Sequence, residues 1–249
     1  MTRTTLIAIA AVALLAVLGG LAGGDLIRAL TGPTAPDRTA FEADLRSSAQ
    51  GGIFEVWRRY RPQEYGETVD ALYALVEAGE PDATVRAEAE ARTAAVRRGL
   101  ADGAIAAPDA MLVAYFRSTA AVMRHYQGSA PQTCARFAAY GAANIAGPDA
   151  STLPAVVIEN ARIGLEALFE AEAAGVERAP ADDAVYDAFA GFARSQGMSE
   201  ASLALVTQVL IDDPGYCAAS IALVDALAAM PAPEGPRLRA TLLRDAAQR

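Results

Sequence analysis

The chain has 249 residues, with 21 Arg and no Lys, 30 acidic residues, one His, two Cys, one Trp and a net charge of −9. Without lysine there is no Schiff-base or P-loop chemistry, and one His with two Cys is too few for a His/Cys metal centre. The acidic balance argues against a nucleic-acid partner. No glycine-rich phosphate loop, dinucleotide fingerprint or calcium loop occurs, so no cofactor is expected.

From the N-terminus, Arg3 is followed by 21 uncharged residues before Asp25. As a helix they would span roughly 30 Å, the thickness of a hydrocarbon core. Positive charge on the N-terminal side only places the rest of the chain outside the cytoplasm. Two readings follow for residues 1–24. In a signal peptide, residues 6–18 form the apolar region, and Gly20, Leu21 and Ala22 or Ala22, Gly23 and Gly24 precede the cut. In a signal-anchor, residues 4–24 stay in the membrane and residues 25–36 are a linker. Neither triplet is a clean Ala-x-Ala, which favours the anchor. The expectation is a single-pass inner-membrane protein whose residues 37–249 form a periplasmic helical domain. The alternative is a soluble periplasmic or secreted protein.

The exported part reads as all-α, an irregular bundle of about nine to eleven helices after the one N-terminal membrane-spanning or signal helix. It is rich in alanine, 60 residues over the whole chain, and sparse in β-branched residues. Proline followed by an acid or small polar residue opens segment after segment, at Pro36, Pro81, Pro108 and Pro148, and more loosely at Pro62, Pro131 and Pro214. Gly79, Gly128, Gly147, Gly175 and Gly197 close them. The expected helices cover 37–49, 53–60, 62–78, 82–101, 108–127, 131–145, 153–174, 181–196 and 199–212, with two more at 215–230 and 234–247. Met111, Leu112, Tyr115, Phe116, Thr119, Val122, Met123 and Tyr126 form one apolar stripe, opposite Arg117 and Arg124. Val157, Ala161, Gly164, Leu165, Leu168 and Phe169 form another. Residues 203–211 are apolar nearly all round and read as the central helix. Irregular spacing of the starts excludes a 34- or 40-residue solenoid, so residues 37–249 read as one domain, with 175–180 the only internal boundary candidate.

Cys134 and Cys217, in an exported domain, are expected to form a disulfide, the alternative being two buried thiols. Closing so long a loop contributes about 4 kcal/mol by chain entropy.

The densest run of chemistry is residues 53–65, which hold the only Trp, two Tyr and three Arg. Trp57, Arg58, Arg59, Tyr60, Arg61 and Tyr65 are the candidate partner-binding residues, because guanidinium forks and aromatic rings together recognise anions, sugars and proteins. The competing reading packs Phe54, Trp57 and Tyr60 or Tyr65 into the core, while the arginines pair with Glu55 and Glu64. A second cluster contains Arg117, Arg124, His125, Tyr126, Arg136 and Tyr140. His125 reads as structural, and no nucleophile elbow accompanies it. Glu159, Arg162 and Glu166 have the spacing of a solvated ladder, Asp212 and Asp213 that of a helix end, and Asp225 projects from an apolar helix. No catalytic residue is therefore assigned. Three classes of function remain. The first is a membrane-tethered module that binds an envelope protein, with residues 4–24 in the membrane. The second is a soluble exported small-ligand-binding protein, and the third is a carboxylate-dependent hydrolase.

Overall fold

The computed structural model describes residues 37–48, 51–141 and 153–248. Among these, all regular structure is helical: α1 Arg38–Ser47, α2 Gly51–Tyr60, α3 Pro62–Glu77, α4 Asp82–Leu100, a 3-10 turn Asp102–Ala106, α5 Asp109–Gln127 and α6 Pro131–Tyr140. Then follow α7 Ala155–Ala174, α8 Asp183–Ser195, α9 Glu200–Thr207, α10 Tyr216–Ala229 and α11 Glu234–Ala247. None of these helices is long and apolar enough to cross a membrane. The expected membrane segment at residues 4–24, the linker at 25–36 and the Pro148 helix start lie outside the described residues.

The starts follow the expected chemistry in part: Pro81 and Pro108 stand at the N-cap, one residue before α4 and α5, and Pro214 lies outside α10. Asp37 accepts from the Ala40 amide at 2.8 Å, Asp182 from Val185 at 3.1 Å and Ser199 from Ser202 at 3.0 Å, each satisfying a first-turn N–H that the helix leaves open. Pro62 and Pro131 stand in the first turns of α3 and α6, where a missing N–H costs nothing. At the ends, Gly79, Gly175 and Gly197 adopt left-handed φ of 72°, 58° and 93°. Gly128 does not; it stays right-handed.

The centre of the bundle is α5, packed against α6, α7, α10 and α11. Of its expected stripe, Leu112, Tyr115, Phe116, Thr119, Val122 and Met123 are buried, while Met111 and Tyr126 are half-buried at its margins. The α7 stripe is buried in full. Asn160, completely buried beside it, donates to Ser118 Oγ at 2.7 Å and Thr119 Oγ1 at 3.0 Å, pinning α7 to α5 with a polar contact inside an apolar seam.

Residues 203–211 are not the central helix. The chain leaves the helix at Thr207, only Leu203 and Val206 of α9 are buried, and Leu210 is 44% exposed. The mainly apolar helix packed against α5 is instead α10, which buries Tyr216, Ile221, Leu223, Val224 and Leu227 among others. A second correction concerns the expected helix at 131–145. It ends at Tyr140, because Gly141 takes a φ of 75°, outside the helical region.

Two covalent or ionic ties hold α10. Near its start, Cys217 is bonded to Cys134 of α6, with Cα atoms 5.7 Å apart and a sequence separation of 83. At its end, Arg239 of α11, 2% exposed, donates through Nη1 to the carbonyls of Leu227 (2.7 Å) and Met230 (2.9 Å). Its Nη2 donates to Asp109 Oδ1 at 2.7 Å, on the first residue of α5. Gly235 allows that approach, since a Cβ there would stand 2.1 Å from the Met230 oxygen. The 175–180 segment is fastened on both sides: Arg178 donates to the carbonyls of Ile105 and Ala107, and Arg237 to Pro180. One contiguous core runs from Phe41 of α1 to Ala247 of α11.

Two stability predictions follow. Reducing the disulfide, or replacing both cysteines with Ser, should lower the unfolding free energy by about 4 kcal/mol, read as a shift in the urea midpoint. Gly235→Ala should cost about 2 kcal/mol or more, because the new methyl meets backbone rather than a movable side chain. A midpoint unchanged from wild type would show that the α10–α11 corner is looser than this packing requires.

Candidate functional site

The residues of the 53–65 run are placed by one packing event, the docking of α2 on α7. α2 buries Ile53, Phe54, Val56 and Trp57 and turns its arginines outward. Trp57 is 2% exposed and Tyr65 is 3% exposed, so two of the three rings of the expected contact surface lie in the core. Burial, with Glu42 close by, pushes the Tyr65 hydroxyl up to about 12. Tyr60 is half-buried, stacked on Phe169 of α7 with ring centroids 5.2 Å apart, and its hydroxyl donates to Glu170. Burial and that carboxylate raise its pKa.

Each arginine of the run meets a carboxylate of its own chain. Arg58 donates to Glu55 at 2.9 Å, Arg59 to Glu166 at 3.2 Å, and Arg61 to Glu172 at 2.7 Å, with Glu64 at 3.7 Å. On α7, Arg162 continues the series, bonding Glu159 at 2.7 Å and Glu166 at 2.6 Å. Its guanidinium holds the Glu159 carboxyl below the ordinary glutamate range. The run is therefore a charge zipper along the α2–α7 seam. The ladder reading of Glu159, Arg162 and Glu166 is correct, and so is the core placement of Phe54, Trp57 and Tyr65. The arginines pair across to α7 as well as with their neighbours in sequence. What remains open to solvent is the outer edge of the zipper, with Arg59 the most exposed of its side chains.

Beside Arg61 lies a surface hollow of about 370 Å³, lined by Arg61, Glu64, Ala95, Val96, Gly99 and Leu100. Arg61 already faces two carboxylates there, which disfavours an anionic occupant. No lining acid is buried, so the hollow lacks the low-dielectric setting that makes a carboxyl an acid catalyst.

The second cluster does not converge. His125 is exposed and meets Tyr126 edge-on at 5.0 Å, Arg124 pairs with Asp225 of α10, and Arg117, Arg136 and Tyr140 are exposed. Ser118 is committed to Asn160 and to the Tyr115 carbonyl. Asp213 accepts from the Gly215 amide at 2.7 Å in the turn between α9 and α10. Among the described residues, no group of three His, Cys, Asp or Glu side chains could hold a metal ion.

The polar residues that sequence reasoning missed are Asn160, Arg178 and Arg239. Arg239 stands between Leu238 and Ala240 in a continuously buried run of α11. No family model, curated protein or solved structure matches this chain. Fold and geometry define the class: a disulfide-linked, all-helical domain whose charged corner is internally neutralised.

The division between core and zipper can be measured. Trp57→Ala should destabilise by about 3–5 kcal/mol, the cost of emptying a large buried site. The single change Arg59→Gln should cost about 1 kcal/mol or less, because its pair with Glu166 has a solvent-exposed arginine. Urea titrations of the two variants test this, and equal losses would contradict the assignment.

Proposed function

We propose that this chain is a membrane-tethered, extracytoplasmic helical protein that acts as an interaction module or accessory subunit of an envelope complex. The observation that carries the reading is the Cys134–Cys217 bond in a chain that opens with 21 uncharged residues after Arg3. A disulfide persists where the surroundings are oxidising, and the apolar run is long enough to hold a helix in a bilayer. The choice of a module over an enzyme rests on the described surface. Its acids lie exposed or paired with arginines, and its hollows carry no buried carboxylate. The exposed edge formed by Arg58, Arg59, Tyr60 and Arg61 is the partner-facing candidate, with Trp57 and Tyr65 as its foundation in the core.

A second reading is a soluble exported protein that holds a small ligand. The hollow of about 370 Å³ beside Arg61 supports it, since its volume is within the range of small-molecule sites.

Intact mass of the protein recovered from cell envelopes, with and without reductant, separates the two. The proposal expects residues 1–24 to be present and the oxidised mass to be two hydrogens short of the reduced one. A mass beginning near Gly23 or Asp25 would favour the soluble reading. In a pull-down from detergent-solubilised membranes, the Arg58, Arg59 and Arg61 to Gln variant should capture less of its partner while remaining folded. Undiminished capture would remove this edge as the interface.

A further inference from the structure

Three helices of this chain end in the same hydrogen-bonded turn. At the end of α3, the Gly79 amide donates to Val76 O and the Glu80 amide to Leu75 O, both at 3.0 Å. At the end of α8, Gly197 donates to Arg194 O at 2.9 Å and Met198 to Ala193 O at 3.1 Å. At the end of α9, Val209 donates to Val206 O at 3.2 Å and Leu210 to Leu205 O at 3.0 Å. This cap requires a left-handed residue at its turn, a position that glycine occupies without steric cost. Gly79 and Gly197 supply it in two cases, and in the third the residue is Val209, at φ 54°. Val209 is the sole non-glycine residue with positive φ among the described residues. A β-branched side chain there clashes with its own backbone.

The local sequence favours a different outcome. Residues 203–211 contain no Gly, Pro or Asn, and nothing in their composition stops a helix at 207. The residue after the break, Leu210, is 44% exposed. The break also borders a groove of about 330 Å³ between α9 and α10, whose lining includes Met198, Ser202, Leu205, Gly215, Ala218 and Ala222. No charged side chain lines it. Leu205 is the link between the two: a Cβ on Gly215 would lie 3.1 Å from its Cδ1.

We propose that the last turn of α9 is a two-state conformational device, in which residues 208–211 exchange between the left-handed break and a continuation of the helix, and that this exchange resizes the α9–α10 groove. In the continued state Val209 becomes right-handed. Its amide passes from Val206 O to Leu205 O, the Leu210 amide from Leu205 O to Val206 O, and the Ile211 amide from Val209 O to Thr207 O, while the Asp213 bond to Leu210 O is given up. Only residues 212–215 then remain to join α9 to α10. α9 must slide along α10 to accommodate them, and Leu205 moves with it at the wall of the groove.

The test is NMR on the full-length chain in detergent micelles, comparing wild type with Val209→Gly and Val209→Ala. Glycine fits the break at no steric cost, whereas alanine keeps the clash and favours helix. The Leu210 amide should exchange about tenfold more slowly in Val209→Gly than in wild type, the factor expected from removing the left-handed penalty of an L-residue. The 13Cα shifts of residues 208–211 should move toward helical values in Val209→Ala. Relaxation dispersion at the Met198 methyl should be present in wild type and vanish in Val209→Gly. Unchanged 13Cα shifts across α5 serve as the check that both variants keep the fold. Leu210 exchange that Val209→Gly leaves within twofold of wild type, or Met198 dispersion that persists in that variant, overturns the proposal.

Discussion

A guanidinium taken out of water must have its donors met, because an unsatisfied buried charge costs several kcal/mol. Arg239 meets this demand with groups that belong to two other helices of the chain. The carbonyls of Leu227 and Met230 belong to the last turn and cap of α10, where a helix has no internal partners for its oxygens. Asp109 belongs to the first turn of α5, where a carboxylate also faces the positive end of the helix dipole. α11 therefore cannot dock without fixing the end of α10 and the start of α5 together. The disulfide fixes α10 near its other end through Cys217. Between these two ties α10 has no freedom to slide, and the aromatic and aliphatic stripe of α5 has a rigid surface to pack on.

The α2–α7 seam is built by a milder version of the same rule. Its arginines are not buried, so each pair is worth little alone. Their value is positional. Arg59, Tyr60 and Arg61 reach Glu166, Glu170 and Glu172 at successive points along α7, so a shift of α2 along its axis breaks all three contacts. Trp57 and the Tyr60–Phe169 stack supply the apolar area, and the pairs set the register. A surface that looks rich in binding chemistry in one dimension is, in three, a seam with most of its valences already used.

The helices were legible in the sequence because their limits are written in local chemistry: proline in first turns, Asp and Ser as caps, glycine at left-handed ends. The stripes of α5 and α7 were equally legible, since a 3.6-residue period needs no knowledge of the partner surface. Two things were not. Residues 203–211 read as a central helix, but the break at Thr207 rests on Val209 adopting a conformation its side chain resists, and only the tertiary setting imposes that. The second is pairing. Whether Arg61 faces a ligand or Glu172, 111 residues away, depends on how α2 and α7 dock, and one sequence carries no record of that docking. Asn160 and Arg239 escaped for the same reason, each being a polar residue among other polar residues whose burial is set by a partner on another helix.

The missing lysine now acquires a physical sense. Arg178, Arg237 and Arg239 all donate to backbone carbonyls: Ile105 and Ala107, Ala179 and Pro180, Leu227 and Met230. Each guanidinium bridges two such oxygens at a chain end or linker, a task suited to a planar fork of fixed donors and poorly suited to the point charge of an ammonium. Arg237 and Arg239 add a carboxylate to the same fork, Asp182 and Asp109 respectively. In a bundle this rich in alanine, helix faces are shallow and much of the joining must be done at the ends. Arginine performs that joining from the surface inward, its stem lying along apolar neighbours and its head on the orphan carbonyls. Three of the 21 arginines of this chain are thus accounted for by joints that an ammonium would serve poorly, and a high arginine content by itself is no evidence for an anionic partner.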